Sequence, residues 1–165
     1  MKIYKFRIYY EQINNFYRDI EIGSEQTFKE LHKAIQKVVN FNSKEIASFN
    51  IYDNKWNKTS EITLIDMSYK KGIKKKNKNL YIMSQAKIGN FINSNSYKQR
   101  IIYIYDFINL WTFYIKLLEI VSPEPNAIYP RCVTSKGKFI QQEKPVLTDA
   151  DIDIYSNNLE DYNYV

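Results

Sequence analysis

The sequence predicts an α+β domain: a hairpin–helix–strand roll with a ubiquitin-like, β-grasp-like start, extended by further antiparallel strands, with one main amphipathic helix on the sheet. Three observations predict it. Apolar and polar residues alternate over residues 4–10 and again over 16–22, the period of half-buried strands. A helical period follows at once, opened by a capping pair at Thr27 and Glu30. Strand-like pieces then return and run on toward the C-terminus.

In the first strand Tyr4, Phe6, Ile8 and Tyr10 share one face, and Lys5, Arg7 and Tyr9 the other. In the second, Phe16, Ile20 and Ile22 oppose Tyr17, Asp19 and Glu21, with Arg18 at the edge of the apolar face. Residues 11–15 between them form a hairpin loop in which Asn can take a positive φ. The helix runs from about Phe28 to Val39. Phe28, Leu31, Ile35, Val38 and Val39 form its apolar stripe, and it stops near Asn40 and Asn42. Ser48 to Tyr52 reads as a strand with Phe49 and Ile51 inward, Asp53-Asn54 as a turn toward Trp56, and Ile62 to Ile65 as a short extended piece. A sheet and a helix that each carry one apolar side stabilise each other by mutual burial.

Residues 69–79 break the pattern. They hold Lys70, Lys71, Lys74, Lys75, Lys76 and Lys78 around Gly72, which predicts an exposed loop. Residues 80–83 and 86–92 are short pieces of ambiguous type, and 93–96 is a turn. Ile101 to Tyr105 reads as a strand. Trp111 to Ile120 alternates like a strand but also fits a 3.6-residue period through Leu110, Trp111, Tyr114 and Leu117-Leu118; Pro123 and Pro125 end it. The expected organisation is one domain over residues 1–148 and an acidic tail over 149–165.

The tail carries Asp149, Asp151, Asp153, Glu160 and Asp161 and no base. Removing its −5 from the net +6 leaves +11 on the body. Lys outnumbers Arg by 20 to 4 amid abundant Ile, Asn and Tyr, the signature of an AT-rich coding sequence, so the basicity alone does not select an anionic partner. The 15 Tyr and 9 Phe need burial or partners, which argues for a folded chain. Each charge near a membrane centre costs about 2.5–3.5 kcal/mol. Asp106, Lys116 and Glu119 therefore argue against a spanning helix over Ile101 to Val121. With one Cys and no signal-like apolar run, the expectation is a cytoplasmic protein without a membrane association.

Catalytic chemistry finds few residues to use. His32 is the sole His, placed beside the helix's apolar stripe, and Cys132 the sole thiol, with Lys136 and Lys138 nearby but no second imidazole to activate it. A structural zinc site wants four Cys or His ligands. The alternating Asp149, Asp151 and Asp153 lack the glycine and the final glutamate of a calcium loop. No glycine-rich phosphate motif occurs. No cofactor is expected, and no catalytic residue is assigned.

The stretch Phe6 to Met67, with Arg18-Asp19-Ile20-Glu21-Ile22, Thr27-Phe28 and Leu31-His32-Lys33-Ala34-Ile35-Gln36, resembles the plasmid pRiA4b ORF-3-like family. Phe49-Asn50-Ile51, then Tyr105, Asp106, Phe107 and Trp111, then Tyr129, Pro130, Arg131 and Cys132, extend the likeness over most of residues 5–140. It is similar to a shorter, divergent bacterial branch whose members share an acidic C-terminal tail. The resemblance implies an α+β fold and little about activity. The family's usual Gly-Asp-x-Trp-x-His after Tyr-Asp-Phe is replaced through Ile108, Asn109 and Phe113, so its acid and His are missing. The Gly-Gly and second Cys after Tyr-Pro-x-Cys are likewise replaced, by Thr134-Ser135 and by nothing. The expectation is a binding or adaptor domain for a protein partner. The alternative is a nucleic-acid accessory protein linked to mobile elements, using the lysine loop for phosphates and flanking Tyr69 and Tyr81 for bases. A Cys132 nucleophile is the third reading.

Overall fold

A computed structural model describes residues 1–41, 44–66, 78–92 and 96–140. The lysine loop apart from Lys78 and Asn79, most of the 93–96 turn, the acidic tail and the expected boundary at 148 lie outside the described residues.

The architecture is α+β, one eight-stranded sheet with one main helix. The chain opens with the expected hairpin, β1 (Ile3–Tyr9) and β2 (Tyr17–Gly23), paired from Ile3↔Gly23 to Tyr9↔Tyr17. Asn15 takes φ 62° in its loop. Helix α1 (Phe28–Val39) follows. The Thr27 hydroxyl accepts from Glu30 N at 3.4 Å, and Thr27 N donates to the Glu30 carboxylate at 2.7 Å, so two first-turn amides are satisfied reciprocally. Asn40 ends the helix in the left-handed region at φ 59°. The buried stripe is Phe28, Leu31, His32, Ile35 and Val39.

Four strands continue the sheet: β3 (Ala47–Tyr52), β4 (Lys58–Thr63), β5 (Leu80–Ile82) and β6 (Arg100–Tyr105), with a one-turn helix α2 (Ile88–Phe91) between the last two. Strands β7 (Trp111–Val121) and β8 (Arg131–Lys136) complete it. The order is β5-β4-β3-β6-β7-β1-β2-β8, antiparallel throughout except for β4 and β5. By this register β2 and β3 run the same way with three strands between them. Only a crossover can join such strands, and α1 supplies it.

The ambiguity over residues 111–120 resolves as a strand. Trp111, Phe113, Ile115 and Leu117 are buried, while Thr112, Tyr114 and Lys116 face away. A bulge between Lys5 and Phe6 leaves Leu118 as the extra residue, so Leu117 and Glu119 pair to opposite faces of the sheet. Strand β4 begins four residues before the expected extended piece, and residues 86–92 contain α2. Strand β8 has no clean alternation to announce it.

The core lies between α1 and one face of the sheet, and its largest side chains are aromatic: Phe6, Phe28, Phe49, Tyr103, Tyr105 and Phe113 are each at most 1% exposed. Arg18 enters its edge. The Arg18 guanidinium sits 4.4 Å over the Phe16 ring and donates to the carbonyls of Val38, Lys136 and Gly137, tying the end of α1 to the end of β8.

Candidate functional site

The helix covers one face of the sheet and leaves the other to the residues that alternate away from it. On β1 these are Lys5, Arg7 and Tyr9, and cross-strand pairing sets them into rows. Tyr9 pairs with Tyr17 of β2 on one side and Tyr114 of β7 on the other, and Tyr17 pairs in turn with Lys136 of β8. One row across four strands therefore reads Lys136, Tyr17, Tyr9, Tyr114. The Tyr9 and Tyr114 rings stack at 5.6 Å and 24°. Burial raises the Tyr9 hydroxyl above its ordinary pKa, with Glu11 and Tyr114 adding to it, so it remains a neutral phenol.

The adjoining row is cationic. Arg7 pairs with Asp19 and with Lys116, and Arg100 comes next by register at the start of β6, opposite Tyr52. Arg7 is held twice: its guanidinium grips Asp19 through bonds of 2.8 and 2.9 Å and lies 4.0 Å over the Tyr17 ring. A third row, Lys5, Glu119, Glu21 and Arg131, is balanced by ion pairs of 2.8 Å, with Glu124 also on Arg131 at 2.7 Å. Lys98, Arg100, Lys116 and Lys136 have no ion pair among the described residues. The unbalanced positive charge thus gathers at the tyrosine end of the face. Beyond Ile102 the face closes: Asn50 and Ser48 are buried, and Asn50 donates to the Ser48 hydroxyl at 3.1 Å.

At that end lies a cleft of about 420 Å³ lined by Tyr9, Tyr114, Lys116, Arg100, Trp56 and Tyr97 among others. Trp56 and Tyr97 are 53% and 52% exposed. The Asp53 carboxylate accepts from Lys55 N and Asn57 N and builds the turn that carries Trp56, which sits in the left-handed region at φ 66°. A bulky side chain in that region is disfavoured, by roughly 1–3 kcal/mol.

The family-like motif residues serve other ends. Tyr105 is fully buried and stacks on Phe41 at 4.2 Å, and Trp111 packs against Tyr10 and Phe139. The Asp106 carboxylate accepts from Ile108 N, Asn109 N and Asn109 Nδ2, organising the β6–β7 loop and leaving Phe107 at its surface. The Tyr129 carbonyl accepts from Gln26, a cis peptide joins Tyr129 to Pro130, and Arg131 bridges Glu21 and Glu124. Glu124, then Glu21, holds the Arg131 guanidinium above its ordinary pKa.

His32 and Cys132 are not brought together into a reaction centre. His32 is buried, its Nδ1 2.7 Å from the Tyr103 hydroxyl, and desolvation aided by Lys29 and Lys33 lowers its pKa to about 4. Cys132 lies at a groove beside Lys33, Lys37 and Arg131, and its thiol donates to Thr134 O at 3.3 Å. Partial burial pushes the thiol above its ordinary pKa despite the nearby Arg18. Lys78, the one member of the lysine set described, lines a separate cleft with Tyr81 and Phe91. No cluster of three or more metal-ligating side chains occurs among the described residues. None of their helices is long and apolar enough to cross a membrane.

The tyrosine and cation rows were not singled out from sequence. Their signal was present: a strand face expected to be polar that instead ends in Tyr9, Tyr17 and Tyr114.

The model of the family described as plasmid pRiA4b ORF-3-like protein matches residues 2–144. No curated protein matches the chain. Among solved structures, the crystal structure of a protein of unknown function, MM3350 from Methanosarcina mazei Go1, is similar with a TM-score of 0.70 and 20% identity, over 99% of this chain and 84% of that one. At that identity the likeness is one of fold.

Proposed function

The chain belongs to the plasmid pRiA4b ORF-3-like family, and within it we propose a cytoplasmic binding domain for single-stranded nucleic acid, working on the open sheet face. The observation that carries this reading is the row Tyr17, Tyr9, Tyr114 set beside Lys116 and Arg100, two cations with no ion pair among the described residues. Sequence-tolerant binding of a single strand needs rings on which bases stack and cations that track the phosphates. A flat sheet face supplies both in adjacent rows, because the strand period of two returns each side-chain type to the same side. A base stacked on one such ring contributes about 1–3 kcal/mol. The lysine loop of 70–78 would add phosphate contacts.

The test is anisotropy of a labelled strand of about 12 nucleotides, within the span a single such domain covers. Binding is expected to weaken as salt rises, with a log–log slope near −0.7 per phosphate neutralised, and to weaken further in Tyr9→Ala and Tyr114→Ala. No binding at low salt, or variants that bind like the parent, would overturn the reading.

A protein partner is the second reading, favoured by the loop after Asp106. There Ile108 and Leu110 are 89% and 53% exposed on a turn tied down by the Asp106 carboxylate. Replacing both with Ser should abolish any co-purifying protein or self-association under this reading; an unchanged hydrodynamic radius and an unchanged set of co-purifying proteins would count against it.

A further inference from the structure

The cleft at the tyrosine end differs from the rest of the face in its lining. Three of its rings come from far apart in sequence: Tyr9 on β1, Trp56 on the β3–β4 turn, and Tyr97 just before β6. Tyr97 makes no ring contact among the described residues although half of it is exposed. Trp56 is engaged from one side by the Arg100 guanidinium at 4.1 Å and at 61° by Tyr52 at 5.8 Å. Exposed aromatic rings gathered in one cleft and rimmed by polar residues, rather than scattered singly, mark a ligand-binding groove.

The charge of the lining is equally specific. Lys98, Arg100 and Lys116 line the cleft with no ion pair among the described residues, against one carboxylate, Glu11, which is exposed. Asn54 adds an exposed side-chain amide. Side-chain amides and carboxylates are the groups that read base edges, Asn on adenine and Glu on the cytosine amino group. The volume, about 420 Å³, lies within the range of small-ligand pockets. A volume of that size suits one nucleotide.

We propose that this cleft holds a single nucleotide of the bound strand, its base against Trp56 and Tyr97 and its phosphate on Lys98, Arg100 and Lys116. The inference rests on the single-strand reading and adds to it one position where the chain selects a base rather than merely stacking it. Tyr9 and Tyr114 then belong to both surfaces, and the strand leaves the cleft along the tyrosine row toward Tyr17.

The experiment uses the full chain with adenosine 5′-monophosphate as probe and inorganic phosphate as its control. Trp56 is a clean reporter, because the other tryptophan, Trp111, is 4% exposed. The expected result is saturable quenching of Trp56 emission by the nucleotide and none by phosphate. Tyr97→Ala should weaken that saturation about tenfold, the size of one lost stacking contact, with an unchanged melting temperature. Trp56→Ala, followed by calorimetry, should do the same. A 12-mer strand is titrated in parallel. If the strand binds but the nucleotide leaves Trp56 unaffected and Tyr97→Ala keeps full strand affinity, the cleft inference falls and the single-strand reading stands. If the nucleotide saturates the cleft while no strand binds, the single-strand reading falls and the cleft remains a nucleotide site. If neither binds, both fall.

Discussion

The Arg100 guanidinium lies 4.1 Å over the indole of Trp56, joining the first residue of β6 to a turn that precedes it by more than forty positions. The contact holds an exposed ring side by side with a cation that has no ion pair among the described residues. Each is available to a ligand, and each keeps the other in place. Arg100→Lys preserves the charge but loses the planar stack. It should leave the salt dependence of strand binding unchanged while lowering affinity several-fold, read by anisotropy at fixed ionic strength.

Tyr9 and Tyr114 are half-buried on the open face, away from the aromatic core. Replacing either with Ala should cost about 1–3 kcal/mol of strand affinity and much less in folding stability. Chemical denaturation measured beside the binding titration separates the two effects. Lys116→Ala should instead flatten the salt slope by about 0.7.

Replacing Lys70, Lys71, Lys74, Lys75, Lys76 and Lys78 with Ser separates the lysine loop from the face. With stacking on the face, the variant should retain base-dependent binding and lose part of its salt dependence. Complete loss of binding would move the site to the loop; an affinity and salt slope equal to the parent's would remove the loop from the account.

His32 sets a pH limit on the fold. Its pKa is lowered from 6.5 to about 4 by burial, then by Lys29 and Lys33, while Tyr103 bonds its ring from β6. The unfolded chain therefore binds more protons than the folded one between those values, and stability rises with pH across that window. The contribution is complete above about pH 6.5 and is lost as pH falls toward 4, a difference of about 3 kcal/mol. Denaturant midpoints from pH 4 to 7 should show it, and His32→Gln should flatten the profile in that interval.

Asp106 tests whether the family-like motif is a site or a scaffold. Its carboxylate accepts three bonds from the following residues. Asp106→Ala should lower stability by about 1–3 kcal/mol through the donors left unpaired, with strand affinity intact. A stable variant that has lost binding would make Asp106 part of the interface.

Cys132 should behave as an ordinary, slow thiol. Burial raises its pKa, so its thiolate fraction at neutral pH falls below that of free cysteine. Its rate with a disulfide probe should therefore be lower than free cysteine's at pH 7 and should climb with pH. A faster rate at pH 7 would restore the case for a nucleophile.

The hairpin and α1 were legible because the signals that form them are local. Alternation over β1 and β2, the Thr27–Glu30 pair and the asparagine stop each act within a few residues. Strand β7 was not decidable, because its apolar residues satisfy both periods, and only pairing with β1 and β6 selects the extended form. Strand β8, exposed along much of its length, carries no burial pattern to read. The open face lay further out of reach. Tyr9, Tyr17, Tyr114, Arg7, Lys116 and Arg100 become neighbours only through the register of four strands, two consecutive pairs joined by the long-range pairing of β1 with β7. Local propensity writes the elements; cross-strand hydrogen bonding, which no single segment encodes, decides which side chains meet.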